Sequence, residues 1–302
     1  QFIFAQGFCM KQKTLRYTLA ILGLSVFTNL PTFAAPTYGE HLEGFEYPYP
    51  LQFFQFDSQQ QNLKMGYMDV HPKHPNGRTV VLLHGKNFCA ATWQNSIQVL
   101  TQQGYRVVAP DQIGFCSSTK PDYYQYSFQQ LAENTHALLQ HLNISNAVMM
   151  GHSTGGMLAV RYALMYPKET QQLLLVNPIG LEDWKAKGVP YRTVDQWYQR
   201  ELKLNAQSIR AYEQKTYYMG HWKPDYDRWV DMLAGLNAGS GHKKVAWNSA
   251  LIYDMIFTQP VYYELPNIQV PAGITTIPPV VGTASSAFWI ALVLSAADVE
   301  AP

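Results

Sequence analysis

The 302-residue chain is poor in charge: 14% of its residues are Asp, Glu, Lys or Arg, and the formal net charge is +1. That balance provides no electrostatic footprint for nucleic acid or an acidic polymer. Cysteine is scarce, three in all, and no Cys/His spacing suits zinc. The His71-Pro72-Lys73-His74 pair reads as a solvated, proline-bearing turn, so neither a metal nor a cofactor is expected. Two further absences weigh most. No histidine follows His242, and no charged residue stands between Ala272 and Ala297.

What is present begins with leader-like sequence. Residue 1 is Gln and the first methionine is Met10. Lys11, Lys13 and Arg16 form a positive stretch, and Tyr17–Phe27 is apolar but too short to span a bilayer. Thr32-Phe33-Ala34 supplies small residues at a cleavage point. Residues 10–34 read as a secretory signal peptide and 1–9 as upstream sequence, with a short membrane anchor as the alternative. The expectation is an exported protein, periplasmic or secreted, with no stable membrane span in its mature part. About 270 residues then remain, enough for one α/β domain with an inserted lid. Cys89 and Cys116 fall in loops of different strands, and both a disulfide and two free thiols stay open.

Residues 35–180 alternate between strands and helices. Leu51–Phe56 and Leu63–Val70 flank a Gln-rich turn and predict a hairpin. Thr79–Leu83, Tyr105–Ala109, Ala147–Met150 and Gln172–Val176 are short apolar runs of the kind that form central strands covered on both faces. Phe128, Leu131, Ala132, Thr135, Leu138, Leu139 and Leu142 recur at helical spacing. Met157–Met165 is apolar nearly all round apart from Arg161, as in a helix buried on a sheet. Alternation with right-handed crossovers predicts a doubly wound, mostly parallel sheet.

Gly151-His152-Ser153-Thr154-Gly155-Gly156 sits between an apolar strand and an apolar helix. A helix starting at a strand end gathers unpaired N–H groups and partial positive charge. A serine there is held clear of the sheet by a tight turn that needs small neighbours, and Gly151, Gly155 and Gly156 meet that need. Ser153 is therefore the candidate nucleophile; a glycine-rich turn serving only helix–strand packing is the alternative. His84-Gly85 ends the first central parallel strand and opens a loop suited to an oxyanion hole. The N–H groups of Thr154 and of Lys86 (or Asn87) are the expected donors. His84 is expected to brace that loop, and His152 points away from its neighbour Ser153.

Leu82–Gly85, then Pro110–Ser117, then Gly151–Gly156 resemble the successive signatures of the α/β-hydrolase superfamily. More narrowly, they are similar to exported, lid-bearing bacterial hydrolases related to epoxide hydrolases, C–C bond hydrolases and esterases. The resemblance covers roughly residues 45–271 and implies a Ser-acid-His triad in that chain order. Cys116 stands where the pattern has a second glycine, a strained position if its φ is positive. Ser153 in place of an aspartate argues against epoxide-hydrolase and dehalogenase chemistry.

Residues 181–265 are expected to form a helical lid. They carry five of the seven tryptophans (Trp184, Trp197, Trp222, Trp229, Trp247) and nine of the twenty tyrosines. Thr193–Tyr218 and Asp225–Leu236 have helical character, with Gly239-Ser240-Gly241 as a break. Such a lid predicts an aromatic-lined cleft for a small apolar ester, thioester or diketone. Residues 266–302 read as a core lead-in, Asn267–Pro271, followed by an atypical apolar tail, so the sheet is expected to be incomplete at its C-terminal edge. The composition break suggests a frameshifted or chimeric end, against a natural tail. The triad acid and histidine are not found in this chain. Glu182 or Asp183, with His221 or His242, are the substitutes the sequence offers. The function expected is a serine hydrolase crippled by that loss, or a non-catalytic relative that binds an apolar ligand.

Overall fold

A computed structural model describes residues 36–275. The leader at 10–34 and the tail from 276 onward lie outside the described residues. Seven strands form one sheet in the order β1-β2-β4-β3-β5-β6-β7. β1 (Leu51–Ser58) and β2 (Gln61–Val70) make the antiparallel hairpin, and β2 also runs antiparallel to β4 (Arg106–Pro110). β3 (Thr79–Leu83), β4, β5 (Ala147–His152), β6 (Thr170–Val176) and β7 (Ala272–Thr275) are parallel.

The apolar runs are continuous because both faces of the sheet are covered. Val80, Leu82, Val107, Val148, Met150 and Leu174 face one layer, where Trp93, Ile97 and Leu100 pack around α1 (Gln94–Gln102). Val81, Leu83, Val108, Met149 and Leu173 face the other layer. There they meet α2 (Phe128–His141) and α3 (Thr154–Met165). Each fully buried Leu or Val contributes on the order of 1.5–3 kcal/mol, so the centre of the sheet is its most stable part. α2 begins where Ser127 Oγ accepts from Gln130 N–H at 3.0 Å, a side-chain cap.

The lid differs from its expected outline. Thr193–Tyr218 is two helices, α4 (Val194–Glu201) and α5 (Ala206–Thr216), because Asn205 accepts from Ser208 N–H and starts a new helix. α6 (Asp227–Ala238) follows as read. The Gly239-Ser240-Gly241 break leads into a seventeen-residue helix, α7 (His242–Thr258), for which the sequence reading made no provision. The edge of the core is also corrected. Ala272–Thr275 continues the lead-in as a parallel strand beside β6, with Val176 opposite Thr275, so one strand expected to be missing is present.

Candidate active site

The junction of β5 and α3 is strained where the sequence reading placed the nucleophile. Ser153 has φ 54° and ψ −118°, a conformation L-residues avoid. Its N–H donates to Val176 O at 3.2 Å, and its carbonyl accepts from Gly156 N–H at 2.9 Å and Ile179 N–H at 3.2 Å, which holds the turn. The surrounding glycines are sterically required. A Cβ on Gly151 would lie 2.0 Å from Gly155 O, and one on Gly155 would lie 2.1 Å from Leu83 O. The elbow is thus clamped between its own helix and the end of β3.

Thr154 opens α3 and is buried, with its N–H at the helix N-terminus. Gly85 carries the facing loop close to the elbow: a Cβ there would sit 3.1 Å from Ser153 Cβ. The side chain of the next residue, Lys86, turns away to the lid. Its Nζ lies 3.0 Å from Glu201 Oε2 on α4 and 3.8 Å from the ring centre of Tyr253 on α7. Burial lowers the Lys86 pKa, but the charge of Glu201 and the contacts with Tyr253 outweigh it and leave the group above its ordinary value. Ser249 Oγ also donates to Glu201, at 2.5 Å.

His84 braces the loop. Its Nε2 accepts from Gln112 N–H at 3.1 Å and its Nδ1 lies 2.9 Å from Gly85 O. His152 is buried among Phe88, Trp93 and Tyr217, and burial pushes its pKa down to about 4. Its Nε2 has no hydrogen-bond partner among the described residues. His221 is in an exposed turn, and His242 starts α7. The acids behave likewise. Glu182 faces Lys187 at 3.8 Å, and Asp183 accepts from Tyr263 OH at 2.8 Å and Lys185 N–H at 2.8 Å. All nine histidines of the chain lie in the described part, and none makes a hydrogen bond to Ser153 there.

Cys89 and Cys116 are joined, with Cα atoms 5.9 Å apart. Cys116 has φ 41°, so the position does demand the left-handed region that a glycine would enter freely. Beside the bridge, Asp111 Oδ1 accepts from Ala90 N–H at 2.7 Å. Its Oδ2 accepts from Ser117 N–H at 3.1 Å and from the Tyr47 hydroxyl. Among the described residues the one cluster with three potential metal ligands is Cys89, Asp111 and Cys116. Its two sulfurs are bonded to each other and are not available to an ion.

Between lid and core lies a cavity of about 290 Å³, lined by Lys86, Phe115, Glu201, Ile209, Glu213 and Tyr253 among others. Neither Glu201 nor Glu213 was singled out from the sequence, where a lone acid in an amphipathic helix reads as surface. Among the described residues no helix is long and apolar enough to cross a membrane.

The model of the α/β hydrolase fold family matches residues 78–221. A crystal structure of a probable hydrolytic enzyme from Pseudomonas aeruginosa PAO1 is 51% identical, with a TM-score of 0.83, over 86% of this chain and 98% of that one. A haloalkane dehalogenase of Mycolicibacterium paratuberculosis is 31% identical over 140 residues, 46% of this chain and 45% of its own length. A cis-3-alkyl-4-alkyloxetan-2-one decarboxylase of Xanthomonas campestris is 30% identical over 138 residues, 43% of this chain. The aligned stretch spans 45% of each of these two curated relatives.

Proposed function

Because the chain belongs to the α/β-hydrolase fold family, we propose that it is a serine hydrolase acting on a small apolar ester or a related acyl or C–C bond. The observation that carries this reading is the strained backbone of Ser153, which presents a hydroxyl at a helix N-terminus. In the reaction, Ser153 Oγ attacks the carbonyl carbon and, with no side-chain base beside it among the described residues, passes its proton to a water molecule, from which the leaving group takes one back. The carbonyl oxygen takes the negative charge and is met by the N–H groups of Thr154 and Lys86. Collapse then expels the leaving group and leaves an acyl-enzyme for water to cleave. The aromatic and aliphatic walls of the lid cavity support an apolar acyl or alcohol part.

The same reading holds that the 302-residue chain turns over slowly. None of its nine histidines partners Ser153 among the described residues, and loss of a triad member costs on the order of 10⁴–10⁶ in turnover. Export to an oxidising compartment belongs to the proposal too, supported by the Cys89–Cys116 bridge and by the composition of residues 10–34.

A fluorophosphonate probe tests the proposal. Slow labelling of the full chain is expected, lost in Ser153→Ala, with little hydrolysis of p-nitrophenyl butyrate. Labelling that persists in Ser153→Ala would refute the assignment of the nucleophile. Fast turnover by the wild type would refute the absence of a base. Ligand binding in the cavity without any labelling would favour a non-catalytic, apolar-ligand-binding relative instead.

A further inference from the structure

The lid cavity contains a polar group that nothing in the fold satisfies. Glu213, on α5, is fully buried, and neither of its carboxyl oxygens has a hydrogen-bond partner among the described residues. It lines the cavity of about 290 Å³ together with Leu204, Ile209, Leu233 and Leu236. An orphaned buried polar group costs roughly 1–3 kcal/mol, so its persistence calls for a reason. Two polar side chains that line the same cavity, Lys86 and Ser249, are committed to Glu201. Lys86 is held by Glu201 at 3.0 Å, and Ser249 donates to the same carboxylate at 2.5 Å. The Tyr218 hydroxyl, whose pKa is raised by burial and by the nearby Glu213, makes no hydrogen bond to it and is itself buried without a partner among the described residues.

We propose that Glu213 anchors a binding site for a neutral, largely apolar molecule with an amide or hydroxyl head. The site stands on the cavity alone; only its extension to the substrate of the hydrolase rests on the function proposed above. Burial raises the Glu213 pKa to about 8, with no cation offsetting it, so the group is uncharged at neutral pH. A neutral carboxyl offers one O–H donor and one C=O acceptor side by side. An amide complements both, and a hydroxyl complements either. An ammonium head would first have to ionise Glu213, and a carboxylate head would find Lys86 already neutralised by Glu201. The aliphatic walls accept the rest of the molecule.

Calorimetric titration of the full chain at pH 6.5 with hexanamide, hexylammonium and hexanoate tests this. Hexanamide is expected to bind the wild type and Ser153→Ala alike. Its affinity should fall at least about tenfold in Glu213→Leu and stay within about threefold in Glu213→Gln, whose carboxamide keeps a donor and an acceptor. Equal affinity in Glu213→Leu, tighter binding of either charged ligand, or no binding of hexanamide to the wild type would overturn the proposal. Should Glu213→Leu fail to fold, the infrared difference between wild type and Glu213→Gln decides. A protonated-carboxyl band that shifts on adding hexanamide supports the site, and one that does not move refutes it. Binding that depends on Glu213 in a protein that no fluorophosphonate labels would leave the site standing and remove the hydrolase reading.

Discussion

Removing the carboxylate of Glu201 is expected to be the most damaging single change in the lid. The side chains of Lys86 and Glu201 are 7% and 4% exposed and 3.0 Å apart, so Glu201→Ala strands a buried ammonium. Breaking such a pair from one side costs about 3–5 kcal/mol, because the remaining charge keeps its desolvation penalty and loses its partner. In a domain of this size each kcal/mol shifts Tm by about 2–4 °C, which predicts a fall of roughly 6–20 °C. Replacing both members, Lys86→Met with Glu201→Leu, removes both charges together and should return most of that loss. The coupling also has a functional side. Lys86 follows Gly85 in the loop proposed to supply an oxyanion donor while Glu201 belongs to α4, so the pair ties that loop to the lid. Thermal unfolding of the two single variants and the double variant, as a cycle, measures the effect. A loss below about 1 kcal/mol in Glu201→Ala, or a double variant as unstable as the single, would refute the reasoning.

Three further outcomes follow from the same geometry. The Cys89–Cys116 bridge spans 27 residues, so Cys89→Ala with Cys116→Ala should lower stability by roughly 3–4 kcal/mol, and reductant should lower the wild-type Tm alone. Gly155→Ala puts a Cβ 2.1 Å from Leu83 O and should cost about 3 kcal/mol or more in denaturant unfolding, against about 1–2 kcal/mol for an alanine at exposed Gly188, which meets no atom but sits at φ 74°. Glu213 is raised from 4.5 to about 8, so the folded state retains a proton that the unfolded chain loses; stability should decline as pH rises through that window, by up to roughly 4–5 kcal/mol, and Glu213→Gln should flatten the profile.

The core was legible because its signals are local and redundant. Each central strand is an apolar run buried on both faces, as Val80 to Leu83 illustrates by alternating between the two layers without a polar residue. The elbow was legible because Gly151 is required by contacts with Gly155 and Gly156 in the same motif, and Gly155 by the end of the adjacent strand. α7 was not. Val245, Ala246, Ala250, Ile252 and Met255 mark its buried face, but Gly239-Ser240-Gly241 and a mixed aromatic pattern masked the period. The partnership of Lys86 with Glu201 joins residues 115 apart, and no spacing rule reports a tertiary ion pair. Glu213 was illegible for the same reason: its burial depends on how α5 leans on α6, not on its own helix.

The strain at Ser153 and Cys116 is held by different means, and this bears on what the site can do. Ser153 is fixed by backbone hydrogen bonds to Val176, Gly156 and Ile179, all from the core. Cys116, at φ 41°, is fixed by the bridge to Cys89, and the adjacent turn by Asp111, which binds Ser117 and Ala90 at once. The hydroxyl and its helix N-terminus are therefore positioned by the sheet. The loop that would supply the second oxyanion donor is instead positioned by a disulfide at one side and a lid ion pair at the other. Loosening either attachment should disturb the proposed oxyanion donors before it disturbs Ser153. In practice, phosphonylation of Ser153, which depends on both donors, should slow in the cysteine-free and Glu201→Ala variants under conditions where circular dichroism still reports a folded core.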